Sequence, residues 1–320
     1  MTAPVSTLPE SPELLAASQV TAAQLLTSRD LGTGVRWAWP TLDDLVGPML
    51  PGDLVVVGAL MGNGKTSLLL SQMDALAAAE TPTLYLPLEI DPALCRLRWA
   101  AWKLNLDVRR VVRQEWDQLP RGAKAAIHDT LTEQESVPWM HFAPPKRLSL
   151  SGLKQWCVWA QAEYGARVVL VDHLHRLESG GSAVDRRVTV TDMVRLLKDL
   201  ARDLGLVVLC AAQLNRSADP IDGYLAPTLA RLKESAAIGE EADVVLMLSR
   251  RLKAHLPDHW QADLRTGTLT ELDLAEPKTM LVTCRKHRLD DAALNMRVSL
   301  RVENGRVRED SQPTLTDPHP

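Results

Sequence analysis

An apolar strand that leads into a small-residue loop ending in Gly-Lys-Thr limits the possible folds of this sequence more than any other feature. The strand covers residues 54–58, the loop ends at Thr66, and a helix with an apolar stripe follows over residues 66–79. A turn of this kind directs backbone N–H groups and the positive end of a helix at one point, where a di- or triphosphate completes their hydrogen bonds. A chance Gly-Lys-Thr on a surface turn is the alternative, and the flanking strand and helix argue against it.

The residue types in this loop predict a phosphate ligand and a metal ligand. Lys65 would reach the β- and γ-phosphates, and the Thr66 hydroxyl would hold Mg²⁺. The first position of the usual pattern is alanine rather than glycine, a difference of one methyl group. The predicted phosphate-binding residues are Ala59, Met61, Gly62, Asn63, Gly64, Lys65, Thr66 and Ser67.

Composition narrows the class of protein without choosing a function. With 320 residues, 46% of them hydrophobic, the chain could form one large α/β domain or two small ones. The net charge of −4 argues against a polybasic coat but permits a local basic groove for nucleic acid. Its four cysteines are far apart and form no CxxC pair, which predicts reduced thiols in a cytoplasmic protein without a zinc site. With no signal peptide and no apolar run near the ~20 residues that span a bilayer, no membrane contact is expected.

Strands and helices alternate along most of the chain. Strands are predicted at residues 54–58, 83–88, 139–142, 168–172, 206–212, 244–248 and 280–284, and helices at 66–79, 92–104, 150–164 and 192–204. Nearly continuous apolar strands separated by helices predict an α/β fold with a mainly parallel sheet covered on both faces. Trp99 and Trp102 share one face of a predicted helix, which favours core packing over base stacking.

Three polar residues end predicted strands beside the phosphate loop. Glu89 is positioned to polarise an attacking water, Asp172 to hold Mg²⁺ through water, and Gln213 to contact the γ-phosphate. Each one alone is more often a plain polar strand end, whereas their joint occurrence with the loop favours a site. His173 and His175 form an HxH that could indicate a metal site, but no third ligand is evident nearby.

Seven short motifs occur in an order that resembles a known family. The motifs are Gly62-Asn63-Gly64-Lys65-Thr66, Leu88-Glu89, Val171-Asp172-His173-Leu174, Gln213-Leu214-Asn215-Arg216, Lys233-Glu234-Ser235, Glu241-Ala242-Asp243 and Lys286-His287-Arg288. Their order resembles the ATPase domain of DnaB-type replicative helicases, in which alanine at the first loop position is usual. The resemblance covers roughly residues 31–305 and is more specific than any single motif.

The resemblance implies a RecA-like P-loop NTPase core, a ring of six identical subunits, hydrolysis of ATP with Mg²⁺ at subunit interfaces, and movement on single-stranded DNA. It implies that Lys65 and Thr66 bind phosphate and Mg²⁺ and that Asp172 is the Mg²⁺ aspartate. Glu89 would be the general base and Gln213 the coupling residue.

The resemblance also assigns residues to a neighbouring subunit and to DNA. Lys286 and Arg288 would reach the γ-phosphate bound by the neighbour; from the residues alone, Arg288 could instead be a strand-edge cation paired with Asp290 or Asp291. The loop that contains Lys233 would track the DNA backbone. Residues 186–187 would line the ring channel, with a solvated surface loop as the alternative. The predicted DNA-binding residues are Arg186, Arg187, Arg216, Lys233, Glu234 and Ala236.

The same resemblance divides the chain into three parts. Residues 1–30 are expected to form a tail with a linker helix, residues 31–305 the ATPase core, and residues 306–320 a disordered C-terminal tail. Family members carry an N-terminal collar that meets primase, and the short segment before the core makes coupling to primase unexpected here, while other replication or loading proteins stay possible partners. Residues 255–278 have no clear counterpart and are interpreted as an inserted hairpin.

These features predict a cytoplasmic, ring-forming DNA helicase or translocase driven by ATP. A RecA-like ATPase that acts as a nucleotide-switched assembly or loading factor, without unwinding, is a second hypothesis. A strand-exchange recombinase shares the core but would form an open filament, and it is the third.

Overall fold

The computed structural model of the chain describes residues 34–135, 140–142, 148–178, 190–214, 227–232, 235–253, 258–269 and 275–310. The helices in this part of the chain are α1 (Pro40–Val46), α2 (Lys65–Ala78), α3 (Pro92–Lys103), α4 (Val108–Val112), α5 (Ala123–Glu135), α6 (Leu150–Tyr164), α7 (Val190–Asp203), α8 (Ser235–Glu241) and α9 (Trp260–Thr266). The strands are β1 (Leu54–Ala59), β2 (Thr83–Pro87), β3 (Met140–Phe142), β4 (Leu148–Ser149), β5 (Val168–Asp172), β6 (Leu177–Glu178), β7 (Val207–Gln213), β8 (Val244–Leu252), β9 (Ala275–His287), β10 (Arg297–Glu303) and β11 (Arg306–Glu309).

One nine-stranded sheet organises these elements, in the order β11-β10-β9-β8-β1-β7-β5-β2-β3. The strands from β8 to β3 in this order are parallel, whereas β9, β10 and β11 each run antiparallel to the preceding strand. Parallel neighbours need crossover connections, and the helices in these crossovers pack on the two faces of the sheet. The predicted α/β class with a mainly parallel sheet is therefore confirmed.

Apolar side chains on the two faces of the sheet form two separate buried clusters. Val55 and Val57 of β1 lie in the cluster with α2 and α3, whereas Leu54 and Val56 lie in the cluster with α6 and α7. Successive side chains of a strand point to opposite faces, so a strand covered on both sides must be apolar at every position. None of the helices in the described ranges is long and apolar enough to cross a membrane.

The structure differs from the sequence prediction mainly in the C-terminal third. The strands predicted at residues 244–248 and 280–284 are longer: β8 extends to Leu252, β9 extends beyond both predicted ends, and the two pair antiparallel. The span interpreted as an inserted hairpin contains the helix α9 in the connection between these two strands. Residues 306–309, which were expected to be disordered, form β11 at the edge of the sheet.

Pro87 is tolerated because it is the last residue of β2. A proline in the middle of a strand would remove a ladder donor, but here the next two N–H groups resume the bonding. The N–H groups of Leu88 and Glu89 both donate to the carbonyl of Asp172, at 2.6 and 3.1 Å. The ends of β2 and β5 are thus held together directly after the proline.

Trp99 and Trp102 are both buried, as the core-packing interpretation predicts. The indole N–H of Trp99 donates to Asp74 Oδ1 at 2.9 Å, and that of Trp102 donates to the Asn304 carbonyl at 2.8 Å. The buried Asp74 carboxylate also pairs with Lys103 and Arg306, each at 2.6 Å. This carboxylate therefore joins α2, α3 and β11.

We expect Asp74→Ala to lower the free energy of unfolding by about 2–3 kcal/mol, because the Trp99 N–H would stay buried without an acceptor and two cations would lose their partner. Chemical denaturation monitored by circular dichroism measures the change. Asp129→Ala is the matched control, since the Asp129 side chain is 76% exposed. Equal effects of the two substitutions would contradict the role given to Asp74.

Candidate functional site

The carboxyl ends of β1, β2, β5 and β7 meet at one edge of the sheet and surround a cleft. The cleft has a volume of about 240 Å³ and is lined by Met61, Gly62, Gly64, Lys65, Thr66, Ser67, Glu89, Ile90, Arg98 and Gln213. In open parallel sheets, ligands bind in this position, outside the carboxyl ends of the strands. The sequence analysis predicted most of these residues as site residues.

The loop between β1 and α2 has the geometry of a phosphate-binding loop. Gly64 caps α2 with φ of 91°, a left-handed conformation that favours glycine, and a Cβ there would lie 2.5 Å from the Met280 side chain. The first helical bond joins the Leu68 N–H to the Gly64 carbonyl at 2.9 Å. The N–H groups of the first turn before Leu68 consequently have no partner within the helix, as at any helix start. Ala59 is the last residue of β1 and is fully buried, so its methyl group lies in the core and leaves the loop unobstructed.

Lys65 is a buried cation that crosses the loop. Its Nζ donates to the Ala59 carbonyl at 2.9 Å and to the Leu60 carbonyl at 3.2 Å. Burial lowers the pKa of this ammonium, while the nearby carboxylates of Glu89 and Asp172 act in the opposite direction. Because burial disfavours the charged form of Lys65, an anionic ligand such as a phosphate would stabilise this ammonium strongly.

Asp172 ends β5 and lies directly below the loop. Its Oδ2 accepts from the Tyr85 hydroxyl at 2.9 Å, whereas its Oδ1 is buried and accepts no hydrogen bond from the described residues. Burial raises the pKa of this carboxyl, and the Thr66 and Tyr85 hydroxyls oppose that effect. A buried carboxylate oxygen without a donor, next to the threonine of a phosphate loop, fits a hard cation such as Mg²⁺.

Glu89 follows β2 and lines the cleft. Its Oε2 is 3.4 Å from Nε2 of the buried His173. Burial lowers the pKa of His173, and the Glu89 and Asp172 carboxylates raise it. The carboxylate is thus anchored on one side and open to the cleft on the other, which suits a group that orients water.

Gln213 is the last residue of β7 and pairs in register with Ala59 at the start of the loop. The next N–H, that of Leu214, donates to the Ala59 carbonyl at 3.1 Å. The amide of Gln213 therefore reaches the cleft from a strand that is fixed to the phosphate loop.

Arg98 of α3 lines the same cleft, and sequence analysis did not predict it as a site residue. Its Nη2 lies 3.5 Å from the Ser67 hydroxyl. Arg98 directly precedes Trp99 on a predicted core-packing helix, and nothing in this sequence context indicates that its side chain reaches the phosphate loop. Only the packing of α3 on α2 brings this guanidinium to the loop.

Lys286 and Arg288 lie at the opposite end of the parallel strands, beside the amino ends of β8 and β1. Lys286 Nζ donates to the Gly239 carbonyl at 2.6 Å, and Arg288 Nη2 donates to the Glu240 carbonyl at 2.9 Å, at the C-terminal end of α8. Arg288 Nε is also 3.3 Å from Asp243 Oδ1, so its carboxylate partner is Asp243 rather than Asp290 or Asp291. The ring of His287 contacts the Val46 carbonyl at 2.9 Å, on the other side of the strand, as the alternation of side chains predicts.

The predicted DNA-binding residues are described only at Ala236, which is exposed in the first turn of α8. Arg186, Arg187, Arg216, Lys233 and Glu234 lie outside the described residues. The linker helix expected within residues 1–30 lies outside them too. Within the described ranges, no three His, Cys, Asp or Glu side chains are grouped to hold a metal ion, which gives the HxH alternative no support.

A phosphate loop between the central parallel strand β1 and a helix, with an acidic residue at the end of β5, which β7 separates from β1, defines a P-loop NTPase with a RecA-like fold. The family model of the DnaB-like helicase C terminal domain matches residues 34–292. The chain therefore belongs to the DnaB-like helicase C-terminal domain family.

Two solved structures share this fold, and a curated relative is similar in sequence. The ATPase domain of G40P aligns with 93% of this chain and 98% of its own, at a TM-score of 0.68 and 20% identity. A DnaB-like replicative helicase, solved to show its interactions with primase, aligns with 91% of this chain and 66% of its own, at a TM-score of 0.68 and 18% identity. The replicative DNA helicase DnaB of Leifsonia xyli is 26% identical over 219 residues, which are 68% of this chain and 47% of that protein. The chain thus spans about half the length of that relative.

We expect Arg98→Ala to weaken the binding of a nucleoside triphosphate about 10- to 100-fold, because a charge-assisted contact to phosphate would be lost. Titration with a fluorescent, slowly hydrolysed triphosphate analogue measures the affinity. Arg98→Lys keeps the charge without the planar fork, so its affinity for the analogue should lie between those of the unchanged protein and the alanine variant. Unchanged affinity in the alanine variant would show that Arg98 only packs against the loop.

Proposed function

We propose that this chain is the motor domain of a ring-forming DNA helicase, which hydrolyses ATP between its subunits and moves on single-stranded DNA. One observation carries the proposal. The phosphate loop lies at the carboxyl end of β1, whereas Lys286 and Arg288 lie at its amino end. The two halves of a complete hydrolytic site thus belong to different copies of the chain.

The length of β1 supports this separation. Arg288 is bound at the amino end of this strand, where the Arg288 N–H donates to the Asp243 carbonyl and the Asp243 N–H donates to Leu54. The phosphate loop begins at the other end, after Ala59. Five residue steps at about 3.3 Å each give about 17 Å, more than twice the reach of an arginine side chain. Arg288 is therefore proposed to act on the phosphate loop of a neighbour, in an assembly whose interfaces are all alike.

Each residue of the cleft has a distinct proposed task. Lys65 and the N–H groups at the start of α2 hold the β- and γ-phosphates. Thr66 and Asp172 would hold Mg²⁺, which when bound shields the charge of the phosphates. Glu89 orients a water and takes its proton, and Gln213 contacts the γ-phosphate from β7. Arg288 of the neighbour stabilises the charge that develops on the transferred phosphoryl group, with Lys286 beside it.

By family resemblance, we propose that the segment of Lys233 and Glu234, which precedes α8, contacts DNA. This helix begins at Ser235, directly after these two residues, and its last carbonyls bind Lys286 and Arg288. A short helix thus joins the proposed DNA-tracking loop to the proposed arginine finger. We propose a ring of six subunits by family resemblance, with residues 1–30 as a linker to the neighbour and residues 31–305 as the core, which β11 extends to Glu309.

The rate of ATP hydrolysis with and without single-stranded DNA tests this function. We expect Mg²⁺-dependent turnover that single-stranded DNA stimulates, and closed rings in negative-stain images. An unwinding assay on a forked duplex then completes the test. Rings that hydrolyse ATP without response to DNA and without unwinding would contradict the helicase proposal and favour a nucleotide-switched loading factor.

A further inference from the structure

Two large apolar side chains in the described part of the chain are far more exposed than any other. Leu289 is 77% exposed and Met61 is 63% exposed, whereas Val158, the next in order, is 43% exposed. Single exposed apolar residues are common. The positions of these two make them informative.

Both residues lie beside the two halves of the proposed intersubunit site. Met61 lines the phosphate cleft. Leu289 directly follows Arg288 and borders a cavity of about 400 Å³ at the opposite edge, whose lining includes Trp37 and Pro48. Within one chain, the length of β1 separates the two edges, so these side chains cannot cover each other.

We propose that Leu289 of one copy packs against Met61 of the next copy, as an apolar anchor beside the arginine finger. The inference rests on the proposed function, because it takes as given that Arg288 acts on a neighbour. Consecutive Cα atoms are 3.8 Å apart, so an Arg288 that reaches into the neighbouring cleft carries Leu289 to the rim of that cleft. Met61 is the exposed apolar side chain on that rim. The occupant of each apolar position is thus a second copy of this chain.

The four native cysteines permit a direct crosslinking test. All four are buried, and burial raises the pKa of Cys95 and Cys157 to about 12 and that of Cys284 to about 11. Burial raises the pKa of Cys210 as well. Thiols of this kind react poorly near neutral pH, so an introduced exposed cysteine is the preferred target of a thiol reagent.

The test joins Met61→Cys and Leu289→Cys with a short bismaleimide in the presence of a slowly hydrolysed ATP analogue. A mixture of the two single variants should give covalent dimers only, whereas a chain with both changes should give a ladder of oligomers. Val158→Cys mixed with Leu289→Cys is the matched control and should give no product above background. An absent Met61→Cys to Leu289→Cys product, or a yield equal to the control, would overturn the proposal.

Assembly gives a second measurement that does not modify the phosphate loop. Leu289→Asn should raise the protein concentration needed for half-maximal assembly about tenfold, because an apolar contact is lost at every interface. Leu294→Asn, at a residue that is 37% exposed, is the control and should leave assembly unchanged. Sedimentation velocity over a concentration series measures both, and equal assembly of the two variants would overturn the anchor.

The outcomes separate this inference from the proposed function. Activity restored by mixing Arg288→Ala with Lys65→Ala chains, without the specific crosslink, would reject the anchor and leave the finger in place. Failure to restore activity in mixed assemblies, together with the specific crosslink, would reject the finger and leave the apolar contact in place.

Discussion

Replacing Glu89 by glutamine should leave ATP binding nearly intact and lower turnover about 10²–10⁴-fold, the usual effect of losing a positioned base. The amide has the size of the carboxylate and fits the same position beside His173, whose Nε2 is 3.4 Å from Glu89 Oε2, but it cannot accept the proton of the attacking water. Single-turnover hydrolysis and analogue binding, measured on the same preparation, separate the two steps. Glu133→Gln, at an exposed position on α5, is the control.

Lys65→Ala should act differently, since it removes the buried ammonium that would meet the phosphates. We expect no measurable turnover and much weaker triphosphate binding.

Normal turnover in Glu89→Gln would show that another group is the base. Asp107 is not that group, because its carboxylate caps α4 by accepting from the Arg109 N–H at 2.8 Å and does not line the cleft.

Replacing Arg288 by alanine should lower turnover about 10³–10⁵-fold, because an arginine finger stabilises the transition state by that factor. Nucleotide binding and assembly should persist. The Asp243 carboxylate is buried and keeps Lys198 and the Leu54 N–H as partners when the half-exposed Arg288 is removed, so circular dichroism should show a folded variant. Arg301→Ala, which removes an exposed partner of Glu303 on β10, is the matched control for charge. Equal turnover of the two variants would contradict the role of Arg288.

The strand-end residues of the site could be predicted from sequence because their signals are local. An apolar strand with a polar residue at its carboxyl end fixes that residue at the edge of a parallel sheet, wherever the strand is placed in the order. Glu89, Asp172 and Gln213 follow this rule, and the structure brings them to one cleft with the phosphate loop or directly below it. Their catalytic roles stay predictions.

The features of the site and of the sheet that could not be predicted from sequence depend on contacts between segments that are distant in the chain. Arg98 reaches the cleft only through the packing of α3 on α2, and its own sequence context indicates a helix with a tryptophan face. The partner of Arg288 is Asp243, which is far away in sequence and becomes its neighbour through the antiparallel pairing of β8 and β9. A register shift near Arg285, where Val245 pairs with Lys286 and Leu246 with Cys284, alters this pairing locally, and such bulges have no reliable sequence signal. Residues 306–309 were predicted to belong to a disordered tail because they are mostly polar. A strand at the edge of a sheet needs little apolar character, so this composition does not exclude β11.

Mixing two inactive variants shows whether hydrolysis needs residues from two copies of the chain. Lys65→Ala chains lack the phosphate loop cation but keep Arg288, and Arg288→Ala chains have the opposite defect. If hydrolysis occurs between copies, assemblies that contain both should regain part of the ATPase activity, since some interfaces then combine an intact loop with an intact finger. Native mass spectrometry establishes that mixed assemblies are present. We expect activity that rises with mixing and peaks at intermediate ratios. No recovery at any ratio in proven mixed assemblies would show that Arg288 does not act on the phosphate loop of a neighbour.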